Sequence, residues 1–337
     1  IMSFMNKMNL TNIYRRSDDV LYTVSDALKC GISVDSLNAN HSFKYFGKGR
    51  GVSVNRFQDE RLFSFHSQVF SPTDREAPHL IDGLLQNDVV KSDFHITDTH
   101  GFNEIIFAVT NLISVRFTPR IKNVVDQVIY SFQPISHYQK KDYKILPDRY
   151  INIDLIEEYW DDILRLIATI KLKHTTATQI FKRLNSYSKS HPLYQALQEY
   201  GRAVKTIFIL DYIDDVELRQ TLEVELSKVE LANKFARAIR FGNDQEFNVE
   251  TRDEQEIIEG CRRLIHNAIV CWNYLYLSEL VANADTDIQK QELIEKIRKN
   301  SILTWGHVNM LGEYDFSVLR NLSTHPFDVS KILSLIL

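Results

Sequence analysis

Apolar residues recur with two different periods along this chain, and the change falls at the loop around Pro134–Pro147. Before it, Gly51–Phe57 (GVSVNRF) and Leu62–Phe70 (LFSFHSQVF) alternate apolar and polar positions, which predicts strands with one buried face. Val20–Val24 and Phe94–Thr97 are shorter apolar runs and predict two more strands. Asn40–Gly51 (NHSFKYFGKGRG) has three glycines and no helical period, so it reads as a loop or hairpin connection. Glu76–Leu85 and Asn103–Ile113 predict helices, the first in spite of Pro78 and Gly83.

After the loop, apolar residues return every three or four positions. Ile156, Trp160, Ile163, Leu164 and Ile167 make one such helical face. Thr175–Tyr187, Leu193–Tyr212, Val216–Phe241, Glu254–Val281 and Ile288–Lys299 predict further helices, with a start at Asp214–Asp215 and a stop at Gly242–Asn243. Strands first and helices later predict an α+β chain rather than a wound βαβ series.

Composition narrows the class. At 337 residues and 44% hydrophobic, the chain is large enough for two domains, or for one domain with a big insertion. No apolar run approaches the roughly 20 residues that span a bilayer, and IMSFMNKMNL lacks the apolar core of a signal peptide, so no membrane is expected. Cys30, Cys261 and Cys271 form no CxxC pair, which fits a reducing cytoplasm and predicts neither a disulfide framework nor a zinc site. His66, His79, His95 and His100 lack tight ligand spacing and read as surface or hydrogen-bonded residues.

The net charge of −4 argues mildly against nucleic acid, but the charges are segregated. Lys44, Lys48 and Arg50 cluster near glycines. Arg116, Arg120 and Lys122 form a second group, and Lys171, Lys173, Lys182, Arg183 and Lys189 a third. Acids are dense over Asp211–Glu225. Such segregation builds either one basic face or ordinary solvated helix surfaces. GKGRG (Gly47–Gly51) lacks the order of a nucleotide loop and reads as a DNA-backbone contact or a plain basic hairpin. Trp160, Trp272, Trp305, Tyr274 and Tyr276 read mostly as core. Ser25 and Ser227 have no matching His–Asp set for nucleophilic catalysis.

Among the many carboxylates, Asp26 and Asp98 follow strand-like runs, and Glu230 sits in the helical segment LSKVELANKFARAIRF. Two-metal phosphoryl chemistry requires acidic oxygens held at rigid element ends. Asp98-Thr99-His100-Gly101 together with FTPRIKN (Phe117–Asn123) resembles the Tn3-family transposases. SLNANHSFKYFGKGRGVSV, HPLYQALQEYGR, FILDYIDDVELRQ, CWNYLYL and TWGHVNMLGEYDF are similar to that family in the same order, from about Asp26 onward.

The resemblance implies a DDE active site on an RNase H-like fold. Asp26, Asp98 and Glu230 would be its three ligands for Mg2+, with Mn2+ as a substitute. It implies three regions: residues 1–135 as the strand-rich core, 136–212 as a helical insertion, and 213–337 as the helical remainder. The reaction would be cleavage at the 3′ ends of a bacterial transposable element and strand transfer, in replicative DNA transposition. The partners would be terminal inverted repeats, target DNA and, in the full-length protein, a second copy. Lys48, Arg50, His100, Arg116, Arg120 and Lys122 would contact DNA, with His100 alternatively orienting Asp98, and Thr99 and Gly101 shaping the turn.

The sequence departs from the family at Ala27, where a glycine is expected, and at Leu28, Lys29 and Cys30, which replace a more polar run. Ile1–Val24 does not resemble the family's upstream segment well. Family members are longer, so the chain reads as a C-terminal catalytic portion. The alternative is a truncated or decayed non-catalytic fragment that binds DNA or a transposase as a scaffold.

Overall fold

The structure is a computed structural model that describes residues 1–98, 103–141, 143–186, 191–239, 246–309, 312–313 and 327–335. Its strands are β1 Tyr22–Gly31, β2 Asn40–His41, β3 Arg50–Asp59, β4 Ser64–Phe70, β5 Phe94–Thr97, β6 Arg116–Phe117, β7 Tyr130–Ser131 and β8 Arg149–Tyr150. The early helices are α1 Met2–Met5, α2 Phe43–Phe46, α3 Glu76–Leu85, α4 Glu104–Leu112 and α5 Ile135–Gln139. The later ones are α6 Ile153–Glu158, α7 Trp160–Lys171, α8 Ala177–Ser186, α9 Pro192–Asp214, α10 Val216–Ala238, α11 Arg252–Ala282, α12 Asp287–Arg298 and α13 Val329–Leu333. The chain is therefore mixed α+β, and it divides into two compact units.

The first unit comprises Ile1–Leu21, Leu28–Ser71 and Lys228–Leu337. Here β3 pairs antiparallel with β4 over Ser53–Gln58 and with β2 at Arg50 and Gly51. The expected loop at 40–51 thus contains a short strand and one helical turn. β3 and β4 are not buried on one face only. Ser53, Asn55, Arg56 and Gln58 are buried along with the apolar positions. Their alternation does not mean exposure, because polar partners are supplied from within: Lys29 Nζ donates to Ser53 at 2.7 Å, and Glu259 takes Arg56. α11 starts on a Thr251–Glu254 capping box and pins β4 through Asn267, which exchanges two hydrogen bonds with the Ser64 backbone. Tyr274 is fully buried and donates to Arg61 O, whereas Trp272 and Tyr276 are exposed. Met5, Met8 and Leu10 fill the same core as Phe63 and Phe235. Nothing in the apolar pattern of the first 21 residues predicts that burial.

The second unit comprises Tyr22–Ala27 and Pro72–Ser227. Here β1, β5 and β6 run parallel, and β5–α4–β6 is a strand–helix–strand crossover inside an otherwise α+β chain. Asn103 caps α4 by accepting from Ile106 N at 3.0 Å. Asp82 of α3 accepts from Ala177 N and Thr178 N, and so caps α8 from a distant element. The predicted face from Ile156 to Ile167 is broken at Tyr159. Ile163, Leu166, Ile167 and Ile170 of α7 are buried, while Leu164 is exposed. Asp215 accepts from Leu218 N at 2.9 Å and starts α10 as expected, whereas Gly242–Asn243 lies outside the described residues.

Gly201 of α9 is required by contact with α4. A Cβ there would lie 1.8 Å from Glu104 O. Since glycine inside a helix otherwise costs about 1 kcal/mol against alanine, the close approach must outweigh propensity. Gly201→Ala should lower the midpoint of urea unfolding, by about 1–3 kcal/mol in stability. An unchanged or raised midpoint would show that the two helices separate freely.

Three histidines, His95 and His266 fully buried and His66 partly buried, predict acid sensitivity. Burial lowers His66 to about 4, with Arg263 adding to the effect, and lowers His95 to about 3. Burial, followed by Arg262 and Arg56, lowers His266 to about 4, although its bond to Leu62 O opposes them. The unfolded chain takes up these protons below about pH 6.5, and the folded chain does not. Stability is therefore full above pH 6.5 and falls as pH drops toward 4, by about 1.4 kcal/mol per pH unit for each histidine. Melting curves between pH 7 and 5 should show this decline, and flat midpoints would contradict it.

Candidate active site

The geometry begins with strand register. β1 and β5 are parallel, with Thr23 opposite His95, Val24 opposite Ile96 and Ser25 opposite Thr97. The next residues are Asp26, inside β1 rather than past its end, and Asp98, just beyond the end of β5. Neighbouring strands lie about 4.8 Å apart, and side chains alternate between faces. Asp26 therefore lies on the face of Val24, Asp98 follows directly on the residue paired with Ser25, and both are half-buried.

The opposite face fixes this register. His95 is fully buried, with Nδ1 at 2.8 Å from Thr23 Oγ1 and Nε2 at 2.9 Å from Ser25 Oγ. Thr23 Oγ1 also lies 2.5 Å from Ser92 Oγ. The neutral imidazole thus clips β1 to β5 immediately beneath the two aspartates. The sequence offers His95 only as one of four unclustered histidines, and pairing is what reveals its place.

Arg120 reaches Asp98 because the segment after β6 keeps following β5. Thr118 N donates to His95 O at 2.8 Å, and Arg120 N to Thr97 O at 2.9 Å. The Arg120 side chain then donates to Asp98 Oδ1 from Nη2 at 2.8 Å and from Nε at 3.2 Å. Its Nη1 donates to Glu223 Oε2 of α10 at 3.3 Å. The hydrogen bond to Asp98 is the chief cause holding this guanidinium protonated above its ordinary range. Glu223 escaped the sequence reading. The one available signal was helical spacing, since Glu223, Ser227 and Glu230 recur at i, i+4 and i+7 and so share a stripe of α10.

Glu230 itself is exposed on α10 and belongs to the other unit from Asp26 and Asp98. Of the expected DNA contacts, Lys48 and Lys122 are exposed. Arg50 pairs with Asp35 at 2.9 Å, and Arg116 with Asp211 at 2.7 Å. Both pairs are open to solvent and cheap to break, at well under about 1 kcal/mol each. Thr99, His100 and Gly101 lie outside the described residues.

Hard divalent cations take oxygen ligands, and Mg2+ is commonly held by one or two carboxylates, with water and substrate phosphate completing its shell. The Asp26–Asp98 pair fits that donor chemistry. Among the described residues no group of three or more His, Cys, Asp or Glu side chains is gathered closely enough to hold a metal ion. Nor is any helix among them long and apolar enough to cross a membrane.

Comparison with known proteins adds family membership. The family described as the Tn3 transposase DDE domain matches residues 1–314. That match includes Ile1–Val24, so the resemblance begins well before Asp26, and the poor likeness expected of that segment is corrected. The chain is 34% identical over 334 residues to the transposase for transposon Tn1546 of Enterococcus faecium, covering 98% of this chain and 33% of that protein. It is 32% identical over 296 residues to the transposase for transposon gamma-delta of Escherichia coli (strain K12), covering 87% and 29%. It is 33% identical over 264 residues to the transposase for transposon Tn501 of Pseudomonas aeruginosa, covering 78% and 26%. The chain spans about a third or less of the length of these relatives. With a family match running over residues 1–314 and a relative 34% identical over 98% of its length, the chain belongs to the Tn3 transposase DDE domain family.

Proposed function

We propose that the chain is the catalytic region of a DNA transposase, which cleaves the 3′ ends of a transposon and joins them to target DNA. The observation that supports this reading is the pairing of Ser25 with Thr97, the residues immediately before Asp26 and Asp98. In this reading Asp26, Asp98 and Glu230 hold Mg2+ or Mn2+, on an RNase H-like core with a helical insertion between Asp98 and Glu230. The bound ions supply Lewis acidity and neutralise charge on the phosphodiester. The chain's own part is to fix the two aspartates through the His95 clip. It also presents Lys48, Arg50, His100, Arg116, Arg120 and Lys122 to the DNA backbone. The full-length protein would act as a homodimer on terminal inverted repeats and target DNA. The choice of Glu230 is supported by the family resemblance.

The test is chelator-sensitive nicking of DNA that carries a transposon end, in Mn2+. Wild type should produce a 3′-OH at the end, and Asp26→Asn or Glu230→Gln should not. Nicking that survives both substitutions would remove the assignment. DNA affinity should fall steeply with salt, and Lys122→Ala should reduce the salt slope by about one phosphate contact. An unchanged slope would place Lys122 away from the backbone.

A further inference from the structure

We propose that Arg120 is a positioning residue that occupies Asp98 in the metal-free protein and yields that carboxylate when a divalent cation binds. The inference rests on the reading of Asp98 as a metal ligand and goes beyond it. Both Nε and Nη2 of Arg120 donate to the same oxygen, Asp98 Oδ1, at 3.2 and 2.8 Å. That is not the fork-to-fork geometry in which a guanidinium engages both carboxylate oxygens. The two donors are directed at the lone pairs of Oδ1, so a cation approaching that oxygen must displace the guanidinium or bind against its positive charge.

Displacement is easy. The Arg120 and Asp98 side chains are 36% and 41% exposed, and ion pairs this open to water are weak. The backbone does not move with the side chain, because Arg120 N stays bonded to Thr97 O. Glu223 holds the third donor, Nη1, and keeps the guanidinium near the strand end after it leaves Asp98. A guanidinium released there, beside a bound cation, is suited to a phosphate oxygen of the DNA backbone. One arginine thus serves two anions in turn: Asp98 in the resting protein and DNA phosphate in the loaded one. The exchange ties metal binding to substrate binding without moving an element of the fold.

The experiment is a calorimetric titration of Mn2+ into wild type, Arg120→Ala, Arg120→Lys and Asp98→Asn. Removing the competitor should tighten Mn2+ binding in Arg120→Ala roughly two- to fivefold, the equivalent of an exposed ion pair. Arg120→Lys should fall between Arg120→Ala and wild type, and Asp98→Asn should lose the site. Structural damage would weaken binding, so tighter binding is diagnostic. Equal or weaker binding in Arg120→Ala, with an unchanged metal-free melting midpoint, overturns the proposal alone. Binding that is insensitive to Asp98→Asn overturns the metal-ligand reading instead, and binding by neither wild type nor Arg120→Ala overturns both. With Mn2+ present, Arg120→Ala should also reduce the salt slope of DNA binding by about one contact. An unchanged slope overturns the transfer to phosphate.

Discussion

Asp98→Asn is expected to abolish metal-dependent cleavage of transposon-end DNA, by at least about a hundred- to a thousandfold, while the protein stays folded. Asparagine keeps the shape of aspartate but lacks its charge. Hard cations depend on anionic oxygen, and the stabilisation of charge developing on the phosphodiester is commonly worth this much in rate. The fold should tolerate the change because the Asp98–Arg120 pair is about two-fifths exposed on the carboxylate side and contributes at most about 1 kcal/mol. Asp98 also lies beyond the last paired residue of β5, so the register from Tyr22 to Ser25 against Phe94 to Thr97 does not depend on it. The measurement is a cleavage assay in Mn2+ beside a melting curve. Retained cleavage would refute the assignment, and collapse of the fold would refute the claim that this carboxylate is structurally dispensable.

Glu259→Gln should have the largest effect on stability. Glu259 is buried with 1% of its side chain exposed. It accepts from Arg56 Nη2 at 3.0 Å, from Arg56 Nε at 3.2 Å and from Arg262 Nε at 2.7 Å. Burial alone would raise its pKa, but the charges and hydrogen bonds of Arg56 and Arg262 outweigh burial and hold it down at about 2. Removing the charge leaves two buried guanidinium groups facing each other without an anion, a loss of about 3–5 kcal/mol. Urea unfolding would measure it. A loss below about 1 kcal/mol would mean that water enters and solvates the arginines. The sign of the pH effect follows from the same pair: the depressed carboxylate contributes its stability above about pH 4.5 and loses it as pH falls toward 2. Its acid sensitivity therefore sets in below that of the three histidines, which begin to act near pH 6.5.

Some of this was legible in the sequence because it is local. Glu76–Leu85 and Phe94–Thr97 coincide with α3 and β5, and the predicted spans of α9, α10, α11 and α12 differ from the observed ones mainly at their ends. Capping by Asp215 acts within three residues of chain, where side-chain chemistry decides the outcome. The identity of Asp98 as a candidate ligand was also local, since it closes a strand. By contrast, the alternation in GVSVNRF was real, but its meaning was not. β3 is buried on both faces because its arginine meets a glutamate 203 residues away, and no local pattern encodes such a partner.

The sequence by itself determined the mixed α+β class, the two regimes of periodicity and the residue types able to hold a divalent cation. Those follow from the backbone's small set of conformations and from the fixed chemistry of each side chain. Only the tertiary structure decided that Ser25 pairs with Thr97, one residue before Asp26 and Asp98, that His95 clips the two strands together, and that Arg120 rests on Asp98 rather than pointing at solvent. It also decided that the first 21 residues supply Met5, Met8 and Leu10 to a core. Strand register and burial are set by contacts between segments far apart in the chain, where apolar area removed from water and the pairing of buried polar groups select one arrangement among many that local preference allows equally.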